Sequence, residues 1–153
     1  MAVTKTVMKN TNQETIVKVT GTAASATISL AVDCLASTQA LTAGGTPTAN
    51  IVGVMTTGLL TSSATITRNS VNVLSFAPEN SVNFNFEGNG FVETTNNTSD
   101  VVVTIAGAEA TVYVTLRKIS GYSTKVEEAV YGAYDDRSRV GASTTLSGSP
   151  DKV

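Results

Sequence analysis

The sequence contains no histidine, no tryptophan and a single cysteine, Cys34. One cysteine excludes an intramolecular disulfide framework, and zinc sites need clusters of cysteine, histidine or carboxylate ligands. A catalytic thiol needs a neighbouring base, and the usual base, histidine, is absent. We therefore interpret Cys34 as a small hydrophobic residue at a strand edge, and we expect neither a metal nor another cofactor.

Charge is also scarce. Charged residues make up 14% of the chain, against about 25% in an ordinary globular protein. The 10 basic and 12 acidic residues give a net charge of −2, which argues against nucleic-acid binding because that function needs a basic patch. No run approaches the about 18 apolar residues of a membrane span, and the opening "MAVTKTVMKN" lacks the apolar core of a signal peptide. We expect synthesis and folding in a cytoplasm and no membrane partner.

Phosphate-binding and catalytic motifs are missing as well. Neither of the two phosphate-binding patterns, GxxxxGK[ST] and GxGxxG, occurs in the chain. The stretch "EGNGF" is interpreted as a turn. Glu127 and Glu128 are adjacent, as are Asp135 and Asp136, and neighbours on a strand face opposite ways, so these carboxylates are interpreted as solvated. We expect no enzymatic activity.

Strict alternation of apolar and polar residues is what the chain has instead. In "SVNFNFEG", residues 81–88, Val82, Phe84 and Phe86 alternate with serine and asparagine, which predicts a strand with one buried face. Similarly, "ETIVKVTG" places Val17 and Val19 on the face opposite Ile16. The polar faces carry short, uncharged groups where a solvated face would carry lysine and glutamate.

Repeated segments of this kind, separated by Gly, Asn and Pro, predict an all-β fold. We expect an antiparallel β-sandwich or barrel of about eight or nine strands over residues 1–122. One hairpin is predicted to turn at Asn69 and Ser70, with Val71 and Val73 inward. In "SATISLAV", residues 25–32, the apolar residues Ile28, Leu30 and Val32 are expected to share a face.

The strongest hairpin signal lies in residues 100–119. Gly107 and Ala108 separate two alternating runs, and glycine at the first position suits a type II′ turn. The inward face of this hairpin is expected to lie at the centre of the core, with burial of Val103, Ile105, Val112, Val114 and Leu116.

Residues 123–153 differ in character, since Gly, Ser and charged residues dominate and large apolar residues are few. This composition predicts an arm rather than a core, with a short helical turn in "TKVEEAVYGAY". The arm either packs on its own domain or docks on a neighbouring subunit. For docking, the candidate partner-binding residues are Tyr131, Tyr134, Arg137, Arg139 and Val140.

The polar strand faces suggest close contact with other subunits. Short polar side chains lose little rotamer entropy on burial, compared with roughly 1.5–2 kcal/mol for Lys, Arg or Glu. We therefore expect a homo-oligomer, a dimer or a trimer. The alternative is that Thr and Ser simply suit strands and that these faces contact water.

Five stretches resemble small virion structural proteins of tailed phages, especially phages of cyanobacteria. The stretches are "MKNTNQETIVKVTGTAASATISL", "NIVGVMTTGLL", "ITRNSVNVLSF", "NNTSDVVVTIAG" and "VYVTLRKISGY". The resemblance covers roughly residues 1–122 and leaves out the arm.

This resemblance implies a capsid decoration, or cement, protein on the outside of the virion. Its partners would be the major capsid protein and further copies of itself, and it would stabilise neighbouring capsomers. A neck, tail or baseplate component is the alternative that the resemblance leaves open. A carbohydrate-binding adhesion module is a third possibility, disfavoured because aromatic residues make up only 5% of the chain.

Overall fold

The computed structural model describes residues 3–86, 88 and 93–124. The chain divides into two compact units, the first formed by Met1–Ser37 and Leu41–Tyr122. Of the second unit, the described parts are Thr38–Ala40 and Ser123–Thr124. The helical turn expected in "TKVEEAVYGAY" falls almost entirely outside the described residues.

All-β structure is confirmed, because eleven strands and one 3₁₀ turn (Pro78–Asn80) account for the regular structure of the described residues. The strands are β1 (Thr4–Asn10), β2 (Glu14–Gly21), β3 (Ala24–Ile28), β4 (Gln39–Leu41), β5 (Thr48–Gly58), β6 (Ser63–Arg68), β7 (Val71–Phe76), β8 (Val82–Asn85), β9 (Val101–Ala106), β10 (Ala110–Ser120) and β11 (Tyr122–Thr124). The number exceeds the expected eight or nine because β4 and β11 are only three residues long and carry no alternation to detect.

The strands form two main sheets, and every pairing within them is antiparallel. The five-stranded sheet has the order β1-β2-β10-β5-β8, and the four-stranded sheet has the order β3-β9-β6-β7. The short strands β4 and β11 pair separately. The two sheets bury one common core, which is the arrangement of a β-sandwich.

The core consists of the inward residues of both sheets, as the alternation predicted. The five-stranded sheet contributes Val17, Val19, Val54, Val112, Val114 and Leu116, and the four-stranded sheet contributes Ile28, Ile66, Val101, Val103 and Ile105. All five core residues expected from the segment 100–119 are therefore confirmed. Most are β-branched, which suits a pleated surface, and each fully buried side chain of this size stabilises the fold by about 1.5–3 kcal/mol.

The predicted hairpin in residues 100–119 is wrong. Strand β9 belongs to the four-stranded sheet and β10 to the five-stranded sheet, so the chain passes from one sheet to the other between them. Gly107 has φ +76°, and a Cβ there would collide with the carbonyl oxygen of Thr61. Position 107 therefore requires glycine because the segment that joins the two sheets passes close to the backbone of Thr61. The predicted type II′ hairpin turn is absent. Alternation fixed which side chains face inward but not which sheet each strand joins.

The hairpin that turns at Asn69 and Ser70 is confirmed. Both residues have left-handed backbones, with φ values of 51° and 61°, and β6 pairs with β7 on either side. Val71, however, is 44% exposed and not inward as predicted. It lies at the end of the edge strand, beyond an irregularity in register between Ile66 and Thr67. Val73 packs against the core as expected.

The segment "SATISLAV" does not continue as a strand. Strand β3 ends at Ile28, and residues 29–34 form a turn in which the amides of Asp33 and Cys34 donate to the carbonyl of Ser29. Leu30 is buried as expected, whereas Val32 is exposed. Cys34 is fully buried in the core cluster, so it does serve as a small hydrophobic residue, but it lies in this turn rather than at a strand edge.

Candidate interaction surfaces

The five residues of the arm that we selected as partner-binding, Tyr131, Tyr134, Arg137, Arg139 and Val140, lie outside the described residues. Strand pairings and side-chain contacts of the described residues define candidate surfaces on the outer faces of the two sheets.

The outer face of the four-stranded sheet carries a row of hydroxyl groups across all four strands. Ser25 lies opposite Thr104, Thr104 opposite Thr65, and Thr65 opposite Ser75. The hydroxyls of Ser25 and Thr104 are 3.0 Å apart and hydrogen-bonded. We call this set the hydroxyl row. A second row lies next to it and consists of Thr27, Val102, Thr67 and Asn72, so neither row contains a charged side chain.

The outer face of the five-stranded sheet has a comparable row made of threonine alone. Thr4 pairs with Thr20, Thr20 with Thr111, and Thr111 with Thr57. The Oγ1 atoms of Thr20 and Thr111 are 3.1 Å apart. We call this set the threonine row. The sequence indicated short polar faces on both sheets, but the rows follow from register, which the sequence does not give.

Beside the threonine row, the same face holds a shallow depression of about 370 Å³. Gly53 lies at the place where a larger side chain would fill it, and Tyr113, Met55, Asn83 and Asn85 are among the residues that surround it. The Oδ1 atom of Asn85 accepts a hydrogen bond from the amide of Gly88 at 2.9 Å. The depression therefore combines aromatic residues, apolar surface and side-chain amides.

Glu14 is the charged residue among those that line this depression, and lysines lie near it. Glu14 accepts a hydrogen bond from Lys9 Nζ at 3.1 Å, so its carboxylate is partly neutralised. Lys18 Nζ lies 6.0 Å from the centre of the Tyr113 ring, at the outer limit of a cation–π contact. Charges of both signs therefore lie at this depression among the described residues.

Arg68 is a buried cation that sequence reasoning missed. It is 1% exposed, and among the described residues its guanidinium donates to backbone carbonyls: to Ala49 at 2.7 Å, to Asn97 at 3.0 Å, and to Ser99 at 2.9 Å and 2.7 Å. Burial lowers the pKa of Arg68. The signal was present, because alternation from Ala64 and Ile66 puts position 68 inward. The cation joins β5 to the loop before β9, and its role is structural.

The two lateral sides of the sandwich differ in the side chains that lie between the sheets. On the side of β1 and β3, Lys5 Nζ donates to Asp33 Oδ2 at 2.6 Å and to the carbonyl of Thr27 at 2.8 Å, which ties the two sheets together. On the side of β7 and β8, the rings of Phe76 and Phe84 lie 5.6 Å apart. Phe84 is 40% exposed, so it is not fully buried as the alternation suggested, because β8 is an edge strand with no further strand among the described residues to cover it.

No group of three or more His, Cys, Asp or Glu residues that could hold a metal is present in the described part of the chain. Burial raises the pKa of the Cys34 thiol to about 11, so at neutral pH this sulfur is a protonated, unreactive core group. No helix in the described ranges is long and apolar enough to cross a membrane.

Comparison of the chain with protein-family models, with curated proteins and with solved structures found no match.

Proposed function

We propose that this chain is a phage virion structural protein that decorates the capsid exterior and stabilises neighbouring capsomers. The resemblance of residues 1–122 to small virion proteins of tailed phages supports this function. The structural observation that carries it is the lack of charge in the hydroxyl row, its neighbouring row and the threonine row.

Such rows suit a surface that is covered by another protein. Desolvating an unpaired charge is expensive, and ordering Lys or Glu costs rotamer entropy, whereas Ser and Thr avoid both costs. Charged residues are likewise depleted at the centres of protein interfaces. On the four-stranded sheet two adjacent rows are uncharged across all four strands, whereas on the five-stranded sheet the row beside the threonine row contains Lys18.

Stabilisation of the shell follows from mass action. A protein that binds only the assembled shell stabilises it by about 2.7 kcal/mol per site when its free concentration is 100 times its dissociation constant. Because a shell offers many equivalent sites, a modest affinity per copy is sufficient. This function needs no cofactor and no catalytic group, and its partners are the major capsid protein and further copies of this chain.

Charge placed in the rows tests the proposal. Thr104→Lys lies in the hydroxyl row and Thr111→Lys in the threonine row, and Asn80→Lys in the exposed 3₁₀ turn is the matched control. We expect one row variant to lose co-sedimentation with expanded capsids while the control binds normally. Undiminished binding by both row variants would contradict attachment through these faces.

Copy number in purified virions separates capsid decoration from the alternative of a neck, tail or baseplate component. Decoration predicts a copy number comparable with that of the major capsid protein. A copy number matching a single neck or tail ring would favour the alternative.

One observation favours a second candidate, a carbohydrate-binding module. Tyr113, Asn83 and Asn85 meet at the depression, and an aromatic ring beside side-chain amides can bind a neutral saccharide. In saturation-transfer NMR with neutral oligosaccharides, this function predicts contacts that Tyr113→Ala abolishes and Thr57→Ala, in the threonine row, preserves. Absence of any saccharide signal would eliminate this candidate.

A further inference from the structure

The four edge strands of the sandwich are not protected equally. Strands β1 and β8 form the edges of the five-stranded sheet, and β3 and β7 form the edges of the four-stranded sheet. An edge strand presents unpaired backbone groups that can pair with another chain, and proteins usually protect such edges with charge, irregularity or short length.

Three of the edges show such protection. Strand β1 carries Lys5 and Lys9, with an irregularity in register between Val7 and Lys9. Strand β3 has its Thr27 carbonyl occupied by Lys5 Nζ at 2.8 Å. Strand β8 is only four residues long, so it offers few backbone groups.

Strand β7 shares one of these features, because its pairing with β6 is irregular in register between Ile66 and Thr67, but it has no charge. Its sequence, "VNVLSF", contains no charged residue, no proline and no glycine, and valine and phenylalanine favour strands. Its outer edge pairs with no strand among the described residues. Val71 is exposed and both Val73 and Leu74 are only partly buried, so apolar surface accompanies the open edge.

We infer that β7 pairs antiparallel with β7 of a second copy, across a twofold axis, to form one continuous eight-stranded sheet. The strand is self-complementary in the register centred between Val73 and Leu74, because the irregularity in β7 places Asn72 and Ser75 on the same face. There Asn72 lies opposite Ser75 of the partner subunit, and Val71 lies opposite Phe76 of the partner subunit. Asn72 and Ser75 both belong to the outer face, opposite Thr67 and Thr65, so polar positions meet polar positions.

A second copy fits this edge better than a charged partner. Pairing of β7 with itself brings no charges together, whereas pairing of β1 with itself would bring lysines of the two copies close to one another. The uncharged outer rows would also continue from one subunit into the next. This inference rests on the proposed function for its biological role, because it assigns the surface through which the proposed homo-oligomer assembles.

Two double variants of the full-length chain test the pairing by sedimentation equilibrium. Both lose the hydrogen bond from Asn72 Nδ2 to Ser75 Oγ within the chain, which measures 3.0 Å. Asn72→Lys with Ser75→Lys places like charges opposite each other at two symmetric points, and we expect dimerisation to weaken by at least about tenfold. Asn72→Lys with Ser75→Glu places opposite charges there, and we expect the dimer to persist and to weaken as salt is added.

The β3 edge supplies a matched control on the same sheet. Ser25→Lys with Thr27→Lys adds the same charge to the protected edge, and we expect unchanged dimerisation. A monomeric native protein, equal weakening by the two β7 variants, or a larger effect of the β3 variant would each overturn the inference. Thermal unfolding of every variant shows whether the fold is kept.

Capsid binding is measured separately, so the two proposals fail in different ways. A native dimer that responds to the β7 variants as expected but does not bind capsids supports the β7 pairing and overturns the decoration function. Capsid binding by a native chain that is monomeric in solution supports decoration and overturns the β7 pairing.

Discussion

Arg68 takes the place that an apolar side chain would occupy in most β-sandwiches. Its guanidinium satisfies carbonyls on β5 and on the loop before β9, and Asn96 Nδ2 in turn donates to the Arg68 carbonyl at 3.3 Å. The planar fork of arginine carries five N–H donors in a fixed geometry, which lets it donate to three separate carbonyls. Arg68 therefore helps to fix the loop before β9, together with the hydrogen bond from Asn97 Nδ2 to Asn50 Oδ1 at 3.0 Å.

Replacing Arg68 by methionine keeps the volume but removes the donors. The carbonyls of Ala49, Asn97 and Ser99 would be left without this partner, and we expect the free energy of unfolding to fall by about 3–5 kcal/mol. Urea unfolding measures the change. Lys18→Met, which removes a cation from the outer face, serves as control and should change the stability by less than about 0.5 kcal/mol. Similar effects of the two substitutions would contradict a structural role for Arg68.

The buried thiol of Cys34 makes the free energy of unfolding depend on pH in the alkaline range. Burial raises the pKa of its thiol from 9.0 to about 11. Above pH 9 the unfolded chain therefore loses the thiol proton first, so stability falls as the pH rises from 9 to 11. That difference in pKa corresponds to roughly 2–3 kcal/mol.

We expect the stability advantage of the native protein over Cys34→Ala to shrink by this amount between pH 8 and pH 11 in urea unfolding. Burial also raises the pKa of Tyr122 and lowers that of Lys118, so only the difference between the two proteins reports on Cys34. A difference that stays constant with pH would show that the thiol is not shielded from water.

At the scale of elements, the link between β9 and β10 decides how the two sheets are connected. Gly107 and Gly44 both have left-handed backbones, with φ values of 76° and 73°. A Cβ at Gly107 would collide with Thr61, whereas a Cβ at Gly44 would meet nothing within 4 Å. This pair separates the cost of backbone conformation from the cost of crowding.

Gly44→Ala should cost about 1–2 kcal/mol, which is the penalty of a left-handed alanine. Gly107→Ala should cost at least about 2 kcal/mol more, because the loop of Thr61 must move. Thermal or urea unfolding of the two variants gives the comparison. Equal costs would mean that the link between the sheets is looser than the structure indicates.

Strand β10 allows a direct test of the inward and outward faces. Val114 is fully buried and its neighbour Thr115 faces outward. Val114→Asp should prevent folding, since it places an unpaired charge in the core, whereas Thr115→Asp should yield a soluble, folded protein. Circular dichroism and melting of both proteins provide the measurement, and a folded Val114→Asp variant would contradict the placement of the core.

These elements also show what the sequence could and could not predict. Alternation identified the inward faces of β2, β9 and β10 because the side-chain period of a strand is two whatever sheet it joins. It did not separate a hairpin from a crossing, since Gly107 suits either connection. The hydroxyl row and the threonine row could not be predicted because they depend on the register between strands that are distant in sequence. The burial of Arg68 was not predicted because a charged residue is normally expected at the surface.

At the scale of the whole molecule, the β-sandwich and the chain after Thr124 can be tested separately. Removing residues 125–153 keeps every described strand. We expect the truncated protein to melt within a few degrees of the full chain, because the core cluster consists of residues before 123. It should also bind capsids more weakly if the arm docks on a partner, as measured by co-sedimentation. Undiminished binding would place the whole attachment surface on the strands.

The positions of β9 and β10 have a consequence for synthesis of the chain. Strand β9 lies between β3 and β6, and β10 lies between β2 and β5, so both sheets receive a central strand from residues 101–120. A ribosome releases β2, β3, β5 and β6 first, and until β9 and β10 follow, each of these strands lacks its central neighbour. Long-range pairing of this kind is slow and leaves strand edges open to neighbouring chains. A nascent chain that stalls before Val101 would therefore have no complete sheet, and proteases and chaperones would encounter both halves of the sandwich still open.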